Sequence, residues 1–257
     1  MNTIFTEQTG TGDIVVKFPM ATQVFKRYKI DFCCGGDRPI GEVIEEKQLK
    51  EENILKKIHD LYASTNSSQD TDWMVADYQE LIDYVLTKHH AYLNQVLPEI
   101  SGFVTKVNRV HGKNHPELTE VFSIFHELKA EFEHHLIQEE ENIFPQIKAY
   151  EREHSNTILS EVVETINILE SEHESSGNLL KQLRKITDDY TLPKDACKTY
   201  QLTFLKLEEL ESDIFNHIHL ENNILFPRLM KEKSLSDIQL KKVASLNNHG
   251  SVFYHNL

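Results

Sequence analysis

An all-α fold is what this sequence predicts: an up-down-up-down four-helix bundle preceded by a small helical N-terminal domain. Three observations carry the prediction. Glycine and proline number only 9 and 7 in 257 residues, too few for the many turns of an all-β chain. From Trp73 onward, apolar residues recur at helical spacing over four long stretches. The breaks between those stretches, HGKNHPE, EREHSN and DDYTLPKD, are short and carry turn or capping residues, and short connections make consecutive helices antiparallel neighbours.

Residues 1–65 form the first domain. A helix is expected from about Pro19 to Tyr28, running into the segment IDFCCGGD, where Gly35 and Gly36 permit a tight turn. Two more short helices are expected, around Ile40 to Lys50 and Glu52 to Tyr62. Residues 63–72 read ASTNSSQDTD, a polar stretch suited to a linker. The bundle domain then occupies 73–232, with helices near 73–110, 116–150, 157–187 and 195–231. The first carries the stripe Ile82, Leu86, His90, Leu93, Leu97, Ile100; the second Phe125, Leu128, Phe132, His135, Glu139, Ile143. The third carries Ile166, Leu169, His173, Gly177, Leu180; the fourth Leu210, Ile214, His217, Glu221, Leu225. In each stripe the polar interruption is a histidine, or a histidine with a glutamate one turn later. Residues 233–257 are set apart as a C-terminal tail, with a helix possible from Leu235 to Leu246 and no function assigned.

Hydrophobic residues at 39% and charged residues at 26% make disorder throughout untenable. The net charge of −14 repels phosphate backbones and anionic lipids, which argues against nucleic-acid and membrane partners. No apolar run approaches the ~18 residues that span a bilayer, and MNTIFTEQTG lacks a basic stretch followed by an apolar block. Three cysteines, Cys33, Cys34 and Cys197, with two of them adjacent, do not make a disulfide framework. A reducing cytoplasm is the expected location. The count of 14 histidines is high for an acidic chain of this size.

Two segments match each other. His135-Leu-Ile-Gln-Glu139 runs on to Phe144-Pro145, and His217-Ile-His-Leu-Glu221 runs on to Phe226-Pro227, so both read H-x3-E-x4-F-P, 82 residues apart. Upstream, His90 and His173 lie 83 residues apart. The chain is therefore two helical hairpins in tandem, each supplying one histidine and then one H-x3-E. Residues i and i+4 share a helix face, so each pair can grip one metal or bridge two. Burying ionised glutamate costs several kcal/mol unless a cation neutralises it. The stripes near these residues hold no lysine or arginine, so a core with two glutamates and four histidines calls for a metal. Imidazole with carboxylate suits iron, and also zinc or manganese. On a pair of irons, His90, His135, Glu139, His173, His217 and Glu221 with bridging carboxylates leave room for an oxo bridge and an open position for O2, NO or peroxide. In this composition about two H-x3-acid pairs arise by chance; it is the duplicated order and spacing that carries weight.

The remaining histidines fit less well. His89 and His134 are about 100° round the helix from their neighbours, and His219 is about 200° from His217. His111 lies about 31 Å beyond His90 along a continuous helix. His111, His115, His126, His249 and His255 are assigned to the surface.

The segments HHLIQEEENIFP, LESEHES and HIHLENNILFP, with DFCCGG and the Phe18-Pro19 pair ahead of it, resemble the iron–sulfur cluster repair di-iron proteins of the repair-of-iron-centres type. In that family a hemerythrin-like domain follows a short N-terminal domain with a CCGG motif. The likeness covers about residues 10–231. It implies two iron ions per chain in a non-haem di-iron centre, held by the same six residues that the repeat picks out. It further implies damaged iron–sulfur proteins as partners after nitrosative or oxidative stress, O2 or NO as small ligands, and a homodimer. Iron donation and NO chemistry at the di-iron centre are both open, with an O2-, NO- or iron-sensing module as the alternative. A metal-free structural bundle, or an oxidase or NO reductase turning over with an electron donor, are further readings. A dedicated oxygen carrier of hemerythrin type has a fifth histidine one turn after the helix-three ligand; here that position is Gly177. Cys33 and Cys34, expected in an exposed turn, are candidate redox thiols. Cys197 is assigned a structural role at the start of helix four.

Overall fold

The computed structural model of the chain describes residues 4–65 and 71–250. Half of the predicted linker, 66–70, lies outside the described residues, and residues 63 and 64 belong to the helix before it. Four short helices come first: α1 (Thr11–Lys17), α2 (Thr22–Tyr28) entered through a 3-10 turn at Pro19–Ala21, α3 (Ile40–Glu46) and α4 (Ile54–Ser64). They close over a small core of Phe5, Ile14, Val15, Phe18, Phe25, Phe32, Ile40, Ile54 and Ile58. Helix α1 was not foreseen. Its sequence, TGDIVVK, joins a glycine to four β-branched residues, all poor helix formers. Burial of Ile14 and Val15 in that core holds it together.

Four long helices form the bundle: α5 (78–111), α6 (117–153), α7 (156–186) and α8 (198–250). Each packs on the next, and α8 returns to α5, so the ring is closed in the expected order. Left-handed His154 (φ 50°) ends α6, and Ser155 caps α7 by accepting from the Ile158 amide. Helix α8 continues without a break past residue 232 to Gly250. His255 lies outside the described residues.

Three of the four helices are not uniformly α. Helix α5 widens into a π turn at Leu86–His90, α6 at Glu139–Ile143 and α8 at Glu221–Leu225. A π turn has poorer backbone hydrogen bonding than the helix around it and persists where something else requires it. Here each contains a candidate ligand. In α6 and α8 the π turn runs straight into Phe-Pro. Pro145 and Pro227 lack an N–H, and their rings crowd the carbonyl four residues back, which the wider turn relieves. The F-P of the repeat is thus a local determinant of how the glutamate is presented.

The apolar interior splits in two. One cluster runs from Leu93 to Val107 on α5, Leu118 to Leu136 on α6, Leu179 to Leu183 on α7 and Tyr200 to Ile218 on α8. The other holds Tyr78 to Val85, Ile143 to Tyr150, Leu159 to Leu169 and Leu220 to Leu229. The six polar candidates sit between them, a hydrophilic layer sealed at both ends. No helix among the described residues is long and apolar enough to cross a membrane.

Candidate metal centre

All six residues picked out by the repeat converge in that layer. His90, Glu139, His217 and Glu221 form one group and His135, Glu139, His173 and Glu221 a second, with the donor atoms of each group within 4.8 Å of one another. Both glutamates belong to both groups. Glu139 turns Oε2 to His90 Nε2 at 3.2 Å and Oε1 to His135 Nε2 at 3.2 Å. Glu221 turns Oε1 to His217 Nε2 at 3.4 Å and Oε2 to His173 Nε2 at 3.2 Å. Each half therefore offers two imidazole nitrogens and one oxygen from each of two carboxylates.

Three of the four histidines are oriented from behind. The Nδ1 atoms of His90, His135 and His173 donate to Glu140 (2.8 Å), Glu172 (2.8 Å) and Asn222 (2.7 Å). These partners can only accept here, so the proton sits on Nδ1 and the Nε2 lone pair faces the interior. Each partner is the chain neighbour of a candidate ligand on another helix. Sequence reasoning passed them over, although an acidic or amide residue directly beside each predicted ligand was there to be read.

The residues fit a cation. Glu139 and Glu221 are fully buried, and none of their four oxygens has a hydrogen-bond donor, a cost of several kcal/mol per ion if nothing offsets it. Imidazole nitrogens face one another at 3.0 Å (His135 and His173) and 3.3 Å (His90 and His217), a spacing that lone pairs tolerate only around a shared positive charge. Without a metal, that charge falls to protons. Burial pushes His135 and His217 down, but the carboxylates override it, Glu139 first for His135 and Glu221 first for His217, raising them to about 9 and about 10.

The cysteine turn is not exposed, contrary to expectation. Cys33 is buried and Cys34 half-buried, their sulfurs 3.7 Å apart. Cys34 Sγ lies 3.5 Å from the His173 carbonyl oxygen, so the turn rests on the helix that carries a candidate ligand. Burial, followed by contact with Cys34, pushes the Cys33 thiol well up. From α8, Asn223 Nδ2 donates to the carbonyls of Cys33 (3.0 Å) and Phe32 (3.3 Å), and His219 Nδ1 to that of Phe32 (3.2 Å). Among the described residues no glycine has a positive φ, so Gly36 is not there for turn conformation. A Cβ at that position would overlap Asn223; its role is to let α8 approach.

Asp31 organises the same turn. It accepts from the amides of Cys33 (3.1 Å) and Gly35 (3.3 Å) and from Lys181 Nζ (2.7 Å) on α7. Burial raises its carboxyl, but Lys181, then the two amides, hold it below the usual 3.8. A lowered carboxyl stabilises the folded state fully above about pH 4 and loses that contribution as pH falls through its own pKa. Asp31→Asn should remove this pH-dependent share and speed alkylation of Cys33 and Cys34 in the native protein at neutral pH, read by mass spectrometry. An unchanged rate would show that the turn docks without it.

The other histidines are distributed as follows. His134 is exposed and His111, His115 and His126 are half-buried, so the surface assignment of these last three was too simple. His115 pairs with Asp195 at 3.1 Å and His126 with Ser101 at 3.0 Å. His89 and His219 are buried outside the six, with His89 Nδ1 donating to Asp213 at 3.0 Å. Cys197 is exposed, 3.2 Å from His111 Nε2; it is not a packing residue.

Residues 81–229 match the family model described as the hemerythrin HHE cation-binding domain, and residues 7–62 match a domain of unknown function. The chain is 34% identical over 226 residues to a Haemophilus influenzae protein named "Probable iron-sulfur cluster repair protein", covering 88% of this chain and 98% of that one. It is 30% identical over 227 residues to the iron–sulfur cluster repair protein ScdA of Staphylococcus haemolyticus, covering 87% and 98%. Identity to the iron–sulfur cluster repair protein YtfE of Escherichia coli O157:H7 is 33% over 222 residues, covering 85% and 95%.

Proposed function

Because the chain belongs to the hemerythrin HHE cation-binding family, together with the iron–sulfur cluster repair proteins, we propose that it is a di-iron protein that restores iron–sulfur clusters damaged by nitrosative or oxidative stress. The observation that carries this reading is the pair of buried glutamates whose four oxygens have no donor and each face an imidazole nitrogen. His90 and His217 would hold one iron, His135 and His173 the other, and Glu139 and Glu221 would bridge them. When bound, iron supplies exchangeable metal for a damaged cluster and open coordination positions for NO or O2.

The protein's own part is positional. Glu140, Glu172 and Asn222 aim three imidazoles inward, and the apolar clusters above and below exclude water from the layer. Four histidines rather than five leave the centre short of donors. This favours iron release or small-molecule chemistry over reversible oxygen carriage. Cys33 and Cys34, resting on the His173 helix, are the thiols best placed to receive or pass on what leaves the centre. We assign the protein to the cytoplasm, where its three free cysteines stay reduced.

The test is repair itself. An NO-inactivated cluster enzyme incubated with protein loaded with isotopically labelled iron should regain activity and acquire the label. Regain of activity without label would favour NO chemistry over donation, and no regain with fully loaded protein would refute the repair reading.

A further inference from the structure

Of the four imidazoles around the centre, His217 alone lacks a partner behind it. His90, His135 and His173 each have an acceptor at Nδ1 within 2.8 Å. His217 is fully buried, and its Nδ1 has no partner. A metal on Nε2 fixes the proton on Nδ1, so an acceptor is required there, and a buried donor left without one is destabilising.

The surroundings of His217 narrow the choice. Its ring faces those of His90, His135 and His173, the apolar Phe132, and His89. The first three are candidate ligands, and Phe132 has nothing to offer. His89 lies 6.0 Å away, centroid to centroid; its Nδ1 donates to Asp213 Oδ1 at 3.0 Å, and its Nε2 is not within hydrogen-bond reach of His217 Nδ1. Asp213 stands one turn before His217 on α8, on the same face. Its second oxygen, Oδ2, is buried and has no partner. A donor and an acceptor, each unmatched, thus lie one helical turn apart beside the same histidine. A cleft of about 860 Å³ between the N-terminal unit and the bundle is lined by His89, Asp213 and Asn216, the chain neighbour of His217; His217 itself does not line it, so a bridging water enters from the Asp213 side.

We propose that Asp213, held in place by His89, is the positioning residue for His217, accepting from its Nδ1 through one water and so setting the affinity of the His90–His217 half of the centre. This rests on the di-iron reading. It makes the two halves unequal by construction: in one both histidines are braced by direct contacts, in the other His90 is and His217 depends on a two-residue relay facing the cleft.

The experiment is anaerobic titration of the metal-free protein with Fe2+, followed by the rate of iron loss to a chelator and by urea unfolding of the metal-free forms. Wild type should take up two equivalents. Asp213→Ala should keep one and bind the other about 10–100-fold more weakly, the usual cost of removing an outer partner, and lose that iron faster. Asp213→Asn, which keeps an acceptor oxygen of the kind Asn222 gives His173, should recover most of the affinity. The urea midpoint of metal-free Asp213→Asn, which keeps an acceptor oxygen for His89 Nδ1, should match wild type, and that of Asp213→Ala should fall only by the one hydrogen bond it takes from His89. Two tight equivalents in Asp213→Ala, equal losses in both variants, or a collapsed metal-free midpoint would each overturn the proposal while leaving the di-iron reading intact. A wild-type chain that binds no iron would overturn both.

Discussion

Replacing Glu139 by glutamine is expected to leave the chain with almost no tightly bound iron, rather than half of it. The carboxylate places one oxygen beside His90 and the other beside His135, so it serves both halves at once. Glutamine keeps one oxygen and puts an N–H2 donor where the second stood, facing imidazole lone pairs. Glu221→Gln should do the same for His217 and His173. His90→Ala or His135→Ala should instead weaken one half first. The stability consequence follows by mass action: metal present at about a thousandfold over its dissociation constant adds about 4 kcal/mol to the folded state. At roughly 2–4 °C per kcal/mol for a chain of this size, the iron-incubated variant should melt on the order of 10 °C below iron-incubated wild type. Iron analysis and a melting curve read both effects. Two irons and a wild-type melting point in Glu139→Gln would mean that this carboxylate does not bridge.

Gly177→Leu is the second large effect expected, and it falls on the thiols rather than the iron. Cys34 Sγ sits 3.1 Å from where a Cβ would stand on Gly177, so the cysteine turn fills the space that a side chain would take. The fifth histidine of an oxygen carrier would strike that sulfur, which is a physical reason for its absence here. Overpacking of this kind costs about 1–3 kcal/mol. Spent on undocking the turn, that is about a ten- to hundredfold rise in its open population. Cys33, now buried, should be alkylated faster by that factor, with the iron content held near two per chain. Unchanged alkylation would show that the turn is not seated on α7 as described.

How much of this was legible beforehand depended on whether the signal was local. The bundle was, because four 3.6-period stripes with short connections admit few other arrangements. The six candidates were, because a duplicated H-x3-E with matched upstream histidines fixes faces and order together. The π turns were not. Their cause lies partly in Pro145 and Pro227, which a stripe count treats as ordinary helix positions, and at Leu86–His90 no proline marks the spot. Nor was the seating of Cys33 and Cys34 legible. CCGG in isolation looks like an exposed turn, and only the approach of Asn223 and Gly177, nearly two hundred and about 140 residues away, buries it. The brace on the histidines was half visible: Glu140, Glu172 and Asn222 are each adjacent to a candidate ligand, but which helix each one reaches across to is a matter of packing. Asp213 and His89 gave no signal of their own, since His89 is about 100° off the stripe and becomes relevant only once α5 and α8 are side by side.

The most direct measurement is the metal content of the full chain purified without oxygen and then challenged with ferrous iron. Two irons per chain, dropping below half an iron when either Glu139 or Glu221 becomes glutamine, is the result expected. A wild-type chain that emerges without metal and stays empty in excess Fe2+ would contradict the account at its root, because the two buried carboxylates would then have to be tolerated by protons alone.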